Sequence, residues 1–499
     1  MPFLQRDPAI LAGFLEDAAH FPGGHAAAIA LPASDAEVAD VLRSASAVLP
    51  IGAQSSLTGG ATPMGEVLLG TSRLNRIVEI GEDVARVQAG VTLAELDSAL
   101  AAAGKYYPPA PTFTGACVGG TVATNAAGAT TFKYGTTRAW VRAVRVVLAS
   151  GEAIEVERGV RRASAFAPVP TYRLPHVAKC SAGYFAAPDM DLVDLFIGSE
   201  GTLGVITEVT LRVLPQRPAH CLAFVTFADR GDALALVDRL RRDAEALHVS
   251  AIEHMDARSL ALLREDGIDR QCGVTIERDA AIAILISIEL PPDTTAEQAY
   301  ADIGAARDAR PADRPLVRLC RALDAAGALD RTDIAVPGDA ARAAQLVAVR
   351  EAVPAAVNAR VGRAKQSIDA GISKTAADMI VPFDRLGELM ALYDAEFARR
   401  GLDAAVWGHI SDGNLHPNVL PRSIADVESG KEAILAFGRA VIRMGGSPLA
   451  EHGVGRNPIK QQLLREMYGE HGIDEMRAVK RALDPEWKLA PGVLFTRGR

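Results

Sequence analysis

The chain has 499 residues, 49% of them hydrophobic and 23% charged, with a formal net charge of −8, a length that suits two to four domains. An acidic balance argues against a nucleic-acid partner, and the densest basic cluster, Arg158 to Arg162, is broken by Gly159 and Val160 and reads as a solvated loop. The start MPFLQRDPAI lacks the order of a signal peptide, no run of ~18 apolar residues could span a bilayer, and five scattered cysteines fit reduced thiols. The expected setting is cytoplasmic, or peripheral to the inner membrane.

In chain order, short apolar runs predict strands at 49–51, 67–69, 77–80 and 85–89. A helix follows over 92–103, with Thr92 as N-cap, Glu95 at the third helical position and Gly104 beyond its end. Another strand, 141–149, ends at Ser150-Gly151, and Val205 to Leu214 alternates apolar and polar residues. Near Leu214-Pro215 the character changes: strand 222–227, amphipathic helix 231–247 and strand 281–290 come next. Strand 378–381, helix 383–400 and strand 405–407 repeat the alternation, which predicts an antiparallel sheet with helices on one face. Residues 308–314 read as a surface connection, and helical pattern runs from 428 to 444 and from 459 to 483. The fold class is α+β, with domains expected at 1–215, 216–430 and 431–499.

Three segments of the first half are rich in Gly, Ser and Thr. The first runs from Pro50 through Gly52, Ala53, Gln54, Ser55, Ser56 and Thr58 to Gly59 and Gly60; the second spans Gly115 to Gly128; the third is Gly198 to Gly204. Successive exposed N–H groups in such loops form anion nests, and the hydroxyls add donors. None has the spacing of a Rossmann or P-loop motif. Together they suit an extended dinucleotide with a pyrophosphate.

The second half carries the metal-like pattern. HISDGNLH sets His409 and His416 seven apart around Asp412-Gly413, and EHGVG follows at Glu451 and His452. Two imidazoles and a carboxylate are a common ligand set for a catalytic divalent ion, although the spacing is not that of one helix face.

These motifs resemble the FAD-linked oxidases of the vanillyl-alcohol-oxidase fold, in the branch of D-lactate, glycolate and D-2-hydroxyglutarate dehydrogenases. The resemblance runs from about Leu31 to Leu494 and rests on PPAPTFTGACVGGTVATNAAGATTFKYGTTRAWVRAVRVVLASGE, DLVDLFIGSEGTLGVITEVTLRVLP, HISDGNLH and EHGVG. It implies a two-part FAD-binding domain, an antiparallel-sheet cap domain and a C-terminal helical segment that returns to the flavin domain. It implies that the loop from Gly52 to Gly60 holds the pyrophosphate, with Pro50 before it also binding the cofactor. Gly119, Gly120, Thr124, Asn125, Gly128, Tyr134 and Gly135 would lie along the isoalloxazine and ribityl chain, Glu200, Gly201, Gly204, Val205 and Ile206 along the adenine side, and Pro111 is a further cofactor-binding residue. No histidine lies between His25 and His176, so non-covalent FAD is expected.

The resemblance further makes His409, His416 and Glu451 ligands of Zn²⁺ or a similar divalent metal, His452 the general base, and Asn414 a residue that orients substrate. Arg350 stands where the family places the arginine for the substrate carboxylate, and Lys374 is a second candidate cation. The implied reaction is oxidation of a small D-2-hydroxy acid to the 2-oxo acid, with hydride passing to flavin N5. The reduced flavin would pass electrons to a quinone, a cytochrome or an electron-transfer flavoprotein, and a homodimer is a compatible assembly. The same residues fit a flavin subunit of a glycolate-oxidase-like complex. An alkylglycerone-phosphate-synthase-like transferase would carry consecutive histidines, which this chain lacks. Ala450, Cys180 and the segment Arg456 to Lys460 depart from the family pattern and mark a divergent branch.

Overall fold

The computed structural model describes residues 4–109, 111–308 and 314–498. The chain forms two compact units: residues 1–128, 134–216 and 447–499 make the first, residues 129–133 and 217–446 the second. The expected surface connection at 308–314 lies largely outside the described residues.

The first unit holds three sheets, the smallest an antiparallel pairing of Lys105–Tyr106 with Leu214–Pro215. In the three-stranded one, Val67–Gly70 is central and pairs in parallel with Ala28–Ala30 and Val48–Ile51. The five-stranded one is antiparallel, in the order Ile77–Ile80, Val84–Gln88, Val205–Arg212, Val141–Val147, Ala153–Glu157. In Val205–Arg212 the residues Val205, Val209 and Leu211 are buried, whereas Glu208, Thr210 and Arg212 are partly exposed, as period-two alternation requires. The helix Leu93–Ala102 starts on the capping box that Thr92 and Glu95 form with each other's backbone.

Residues 447–499 contribute to the same core. Leu489 bridges Val48, and Val493, Leu494 and Phe495 are buried with the strands of the five-stranded sheet. The buried Lys480 ammonium donates to Asp484 and to the carbonyls of Thr202 and Leu489, so its charge is paired and its remaining protons are hydrogen-bonded. The helix Pro458–Leu483 bends at Gly469, where φ is +69°.

The second unit is built on an antiparallel sheet ordered Asp333–Ala335, Ala219–Phe227, Ile282–Leu290, Val249–Asp256, Ala404–His409, Asn414–Val419, Thr375–Ala376. Helices cover both of its faces, not one. Ala283 and Leu285 face a cluster with the helices Ala257–Glu265 and Ala340–Ser367. Ile282, Ile284, Ile286 and Ile288 are equally buried on the opposite side, where Arg230–Arg242 meets the same strand. A strand that is apolar at nearly every position needs cover on both sides.

The segment expected over 431–499 divides. The helix Ile424–Arg443 stays with the second unit, burying Val427, Ala433, Ile434, Phe437 and Val441, and its Gly430 lies where a Cβ would stand 2.9 Å from the Thr375 methyl. Only residues from Ser447 onward join the first unit.

Candidate active site

In the first unit the three glycine-rich loops are tied to one another. The third rests on the second through Gly198 N–H to Val122 O at 3.0 Å and Glu200 N–H to Ala123 O at 2.7 Å. Gly201 packs beside Pro50, at the start of the first loop. Gln54 holds that loop from within, its Nε2 donating to the carbonyls of Phe14 and Ala61 at 2.9 and 2.8 Å. Ser56 and Thr58 share a hydroxyl hydrogen bond of 3.0 Å.

The glycines fall into two kinds. A Cβ on Gly119 would meet the Ala89 Cβ at 2.5 Å, and one on Gly204 would meet Val146 at 2.3 Å, so both glycines serve close packing. A Cβ on Gly120 would meet nothing within 4 Å. Gly120 lies in the short helix Val118–Ala123, beside Thr124, whose hydroxyl donates to its carbonyl at 3.0 Å. Asn125 adopts φ +49° and accepts the Arg138 N–H at 3.0 Å, and Gly135 adopts φ +73°. Tyr134 closes on Tyr106 through their hydroxyls at 3.1 Å. Pro111 is partly exposed in the loop before the Val118–Ala123 helix.

The EHGVG loop belongs to this unit as well. The Glu200 carboxylate accepts the N–H groups of Val454 and Gly455, each at 2.8 Å, so one acid from the third glycine loop fixes the turn that follows His452. Burial raises the Glu200 carboxyl to about 7 against the two backbone donors. The Glu451 carboxylate takes the ammonium of the buried Lys179 at 3.0 Å, and His452 Nε2 stands 3.4 Å from the same carboxylate. Neither Lys179 nor this use of Glu200 was expected from the motifs.

The second unit holds His409, His416, Arg350 and Asn414. His409 ends the strand Ala404–His409; Ile410–Asp412 forms a single 3-10 turn; Gly413, at φ +81°, opens the return strand Asn414–Val419. A Cβ on Gly413 would also approach the Val381 carbonyl oxygen to 2.4 Å, so this turn requires glycine. His416 pairs across the hairpin with Trp407, two residues from His409, which sets both imidazoles on one face of the sheet. Their ring centroids are 5.4 Å apart and the planes stand at 88°. Seven residues thus return to one face through a β-hairpin.

A carboxylate lies behind each ring. Glu253 faces His409 across the strand ladder, and its Oε1 lies 2.5 Å from His409 Nδ1. Asp378 Oδ1 lies 3.4 Å from His416 Nδ1. Asn414 donates through Nδ2 to that same Asp378 oxygen and to the Met379 carbonyl, both at 2.9 Å, so its amide holds Asp378.

Arg350 arrives on the 28-residue helix Ala340–Ser367, where its Nε donates to Glu253 Oε2 at 2.6 Å. Pro354, four residues on, has no N–H to return to the Arg350 carbonyl, which loosens the helix at that point. Burial raises the Glu253 carboxyl, but His409 and Arg350 outweigh it and hold the pKa at about 2. Lys374 stands exposed in the loop before Thr375–Ala376.

Comparison with known proteins gives the family. Residues 26–157 match the family described as FAD binding domain, and residues 216–494 match that described as FAD linked oxidases, C-terminal domain. The chain therefore belongs to the FAD linked oxidases, and it is an FAD-dependent oxidoreductase. It is 31% identical over 480 residues to D-2-hydroxyglutarate dehydrogenase of Xanthomonas citri, covering 94% of this chain and 89% of that one. It is 28% identical to D-lactate dehydrogenase of Anaerostipes hadrus, over 89% of this chain and 83% of the relative. Among solved structures, 4-ethylphenol oxidase from Gulosibacter chungangensis shares the fold, with a TM-score of 0.67 and 18% identity over 99% of this chain and 94% of that one.

Proposed function

We propose that the protein oxidises a small D-2-hydroxy acid, of the D-lactate, glycolate or D-2-hydroxyglutarate type, to the 2-oxo acid with the help of a divalent metal. The observation that carries this reading is the second unit's buried face, where two imidazoles each have a carboxylate behind them and an arginine shares one of those carboxylates. Metal-binding histidines ordinarily have such an acceptor on the far ring nitrogen. A hydroxy acid brings a carboxylate, for which arginine is the matching cation. The two dehydrogenase relatives support the same substrate class.

The roles proposed are those the motifs suggest. His409, His416 and Glu451 would hold the metal, which when bound would supply a Lewis acid for the substrate alcohol. Bound FAD, held by the glycine loops, supplies the acceptor for the hydride equivalent from Cα. Arg350 holds the substrate carboxylate, and His452 accepts the hydroxyl proton as general base. Asn414 orients the substrate, its own amide held by Asp378 and the Met379 carbonyl. Reoxidation is assigned to a quinone, a cytochrome or an electron-transfer flavoprotein.

The test is formation of 2-oxo acid from each candidate substrate with an artificial dye acceptor, before and after chelation. Activity with at least one D-acid, lost on chelation and restored by Zn²⁺, Co²⁺ or Mn²⁺, is expected. Undiminished activity in protein shown to be metal-free would remove the metal from the proposal. Inactivity toward every hydroxy acid would remove the substrate class.

A further inference from the structure

Glu253 lies outside the recognisable motifs, yet it touches two of the residues they nominate. Its strand, Val249–Asp256, is central in the sheet, flanked by Ile282–Leu290 and Ala404–His409. Register sets it opposite His409, so both side chains leave the same face, and the helix Ala340–Ser367 delivers Arg350 to that face. The side chains are 9%, 5% and 14% exposed for Glu253, His409 and Arg350. Each carboxylate oxygen has its own partner: Oε1 faces His409 Nδ1 at 2.5 Å and Oε2 faces Arg350 Nε at 2.6 Å.

The chemistry of these contacts is directional. Guanidinium stays protonated in proteins, so a carboxylate paired with it is ionised and can only accept hydrogen bonds. His409 must then carry its proton on Nδ1, which makes Nε2 the nitrogen with a lone pair for a metal. On the other side, Arg350 commits Nε to Glu253. That leaves the two Nη groups, the edge that meets a carboxylate with two parallel hydrogen bonds. The Glu253 and Arg350 charges cancel, so the arginine is held in the interior without an uncompensated charge.

We propose that Glu253 is a positioning residue that couples the two halves of substrate recognition, setting the tautomer of His409 for the metal and the presentation of Arg350 for the substrate carboxylate. This rests on the function proposed above. It adds that one carboxylate governs metal affinity and substrate affinity together, and it distinguishes Glu253 from Asp378, which faces His416.

The test uses full-length, FAD-loaded protein stripped of metal, as wild type, Glu253→Gln and Glu253→Asp. Co²⁺ affinity is measured by titration; KM and kcat are then measured at saturating Co²⁺ with D-lactate, glycolate and D-2-hydroxyglutarate. Glu253→Gln is expected to bind Co²⁺ about 10–100-fold more weakly. Its KM is expected to rise severalfold with a smaller change in kcat, at unchanged FAD content, and Glu253→Asp, which keeps the charge, is expected to be intermediate. A merely structural role would instead lower FAD content and the unfolding midpoint while leaving Co²⁺ affinity per folded molecule unchanged, and that result would overturn the proposal. Should Glu253→Gln not fold, Glu253→Asp decides alone: wild-type Co²⁺ affinity and KM in that variant overturn the proposal. Wild-type protein that takes up no Co²⁺ would instead defeat the metal reading itself, and this inference with it.

Discussion

At the scale of single residues, the neighbouring Gly119 and Gly120 differ in what surrounds them. A methyl at Gly119 collides with Ala89, whereas a side chain at Gly120 enters open space. Gly119→Ala is therefore expected to lower the unfolding midpoint of FAD-free protein by several degrees, since overpacking costs roughly 1–3 kcal/mol. Gly120→Val should leave that midpoint within a degree or two while reducing FAD retention at least tenfold. Thermal unfolding and flavin content measured on both variants check this, and equal FAD retention in Gly120→Val and wild type would take Gly120 out of the cofactor site. Such a distinction is invisible in the sequence, where both residues are simply glycines of one motif. The same holds for Glu200, whose motif suggests a cofactor contact while its carboxylate fastens the backbone after His452. The motif names the residues of interest, and only the three-dimensional contacts tell what each atom does.

Elements were legible where one period dominates. The strand at 205–212 follows from alternation, that around 77–80 from a short apolar run, and the capped helix Leu93–Ala102 from Thr92 with Glu95. The helix Ala340–Ser367 was not expected, because alanines and arginines dilute its apolar stripe and Pro354 interrupts it. Its buried Leu346, Val349, Val353 and Val357 do recur at spacings of three and four, a signal present but faint. The strand Val249–Asp256 was obscured by Glu253 and His254, polar residues inside an apolar run. That mismatch marks function at Glu253, while His254, its neighbour on the opposite face, is fully buried and neither ring nitrogen has a hydrogen-bond partner.

Burial, with Arg230 and Arg350 adding to it against Glu253, lowers the His254 pKa to about 3. Its folded value lies below the ordinary 6.5, so the neutral ring favours the fold above pH 6.5, and that contribution is lost as pH falls from 6.5 toward 3. At pH 4.5 the loss is on the order of 2–3 kcal/mol. His254→Leu should therefore lose less stability than wild type between pH 7.5 and 4.5. Denaturant titrations at the two pH values check it, and parallel losses in both proteins would contradict it.

The whole molecule was legible in its class more than in its divisions. Composition and motifs together pointed to an α+β flavoprotein, and the family match and the two mixed units agree. The point where the chain leaves the second unit was not legible, because Ile424–Arg443 and Pro458–Leu483 are similar helical patterns and only tertiary packing assigns them to different units. Within the second unit the seven-residue histidine spacing was ambiguous until the hairpin put both rings on one face.

At this scale the central claim is that flavin and hydroxy-acid chemistry meet in one enzyme. The most direct measurement is anaerobic absorbance of the purified, FAD-loaded protein during addition of matched D- and L-2-hydroxy acids. The flavin band is expected to bleach with at least one D-acid, or with achiral glycolate, and not with the L-enantiomers. A flavin spectrum that no 2-hydroxy acid bleaches, in protein whose flavin dithionite does reduce, would contradict it.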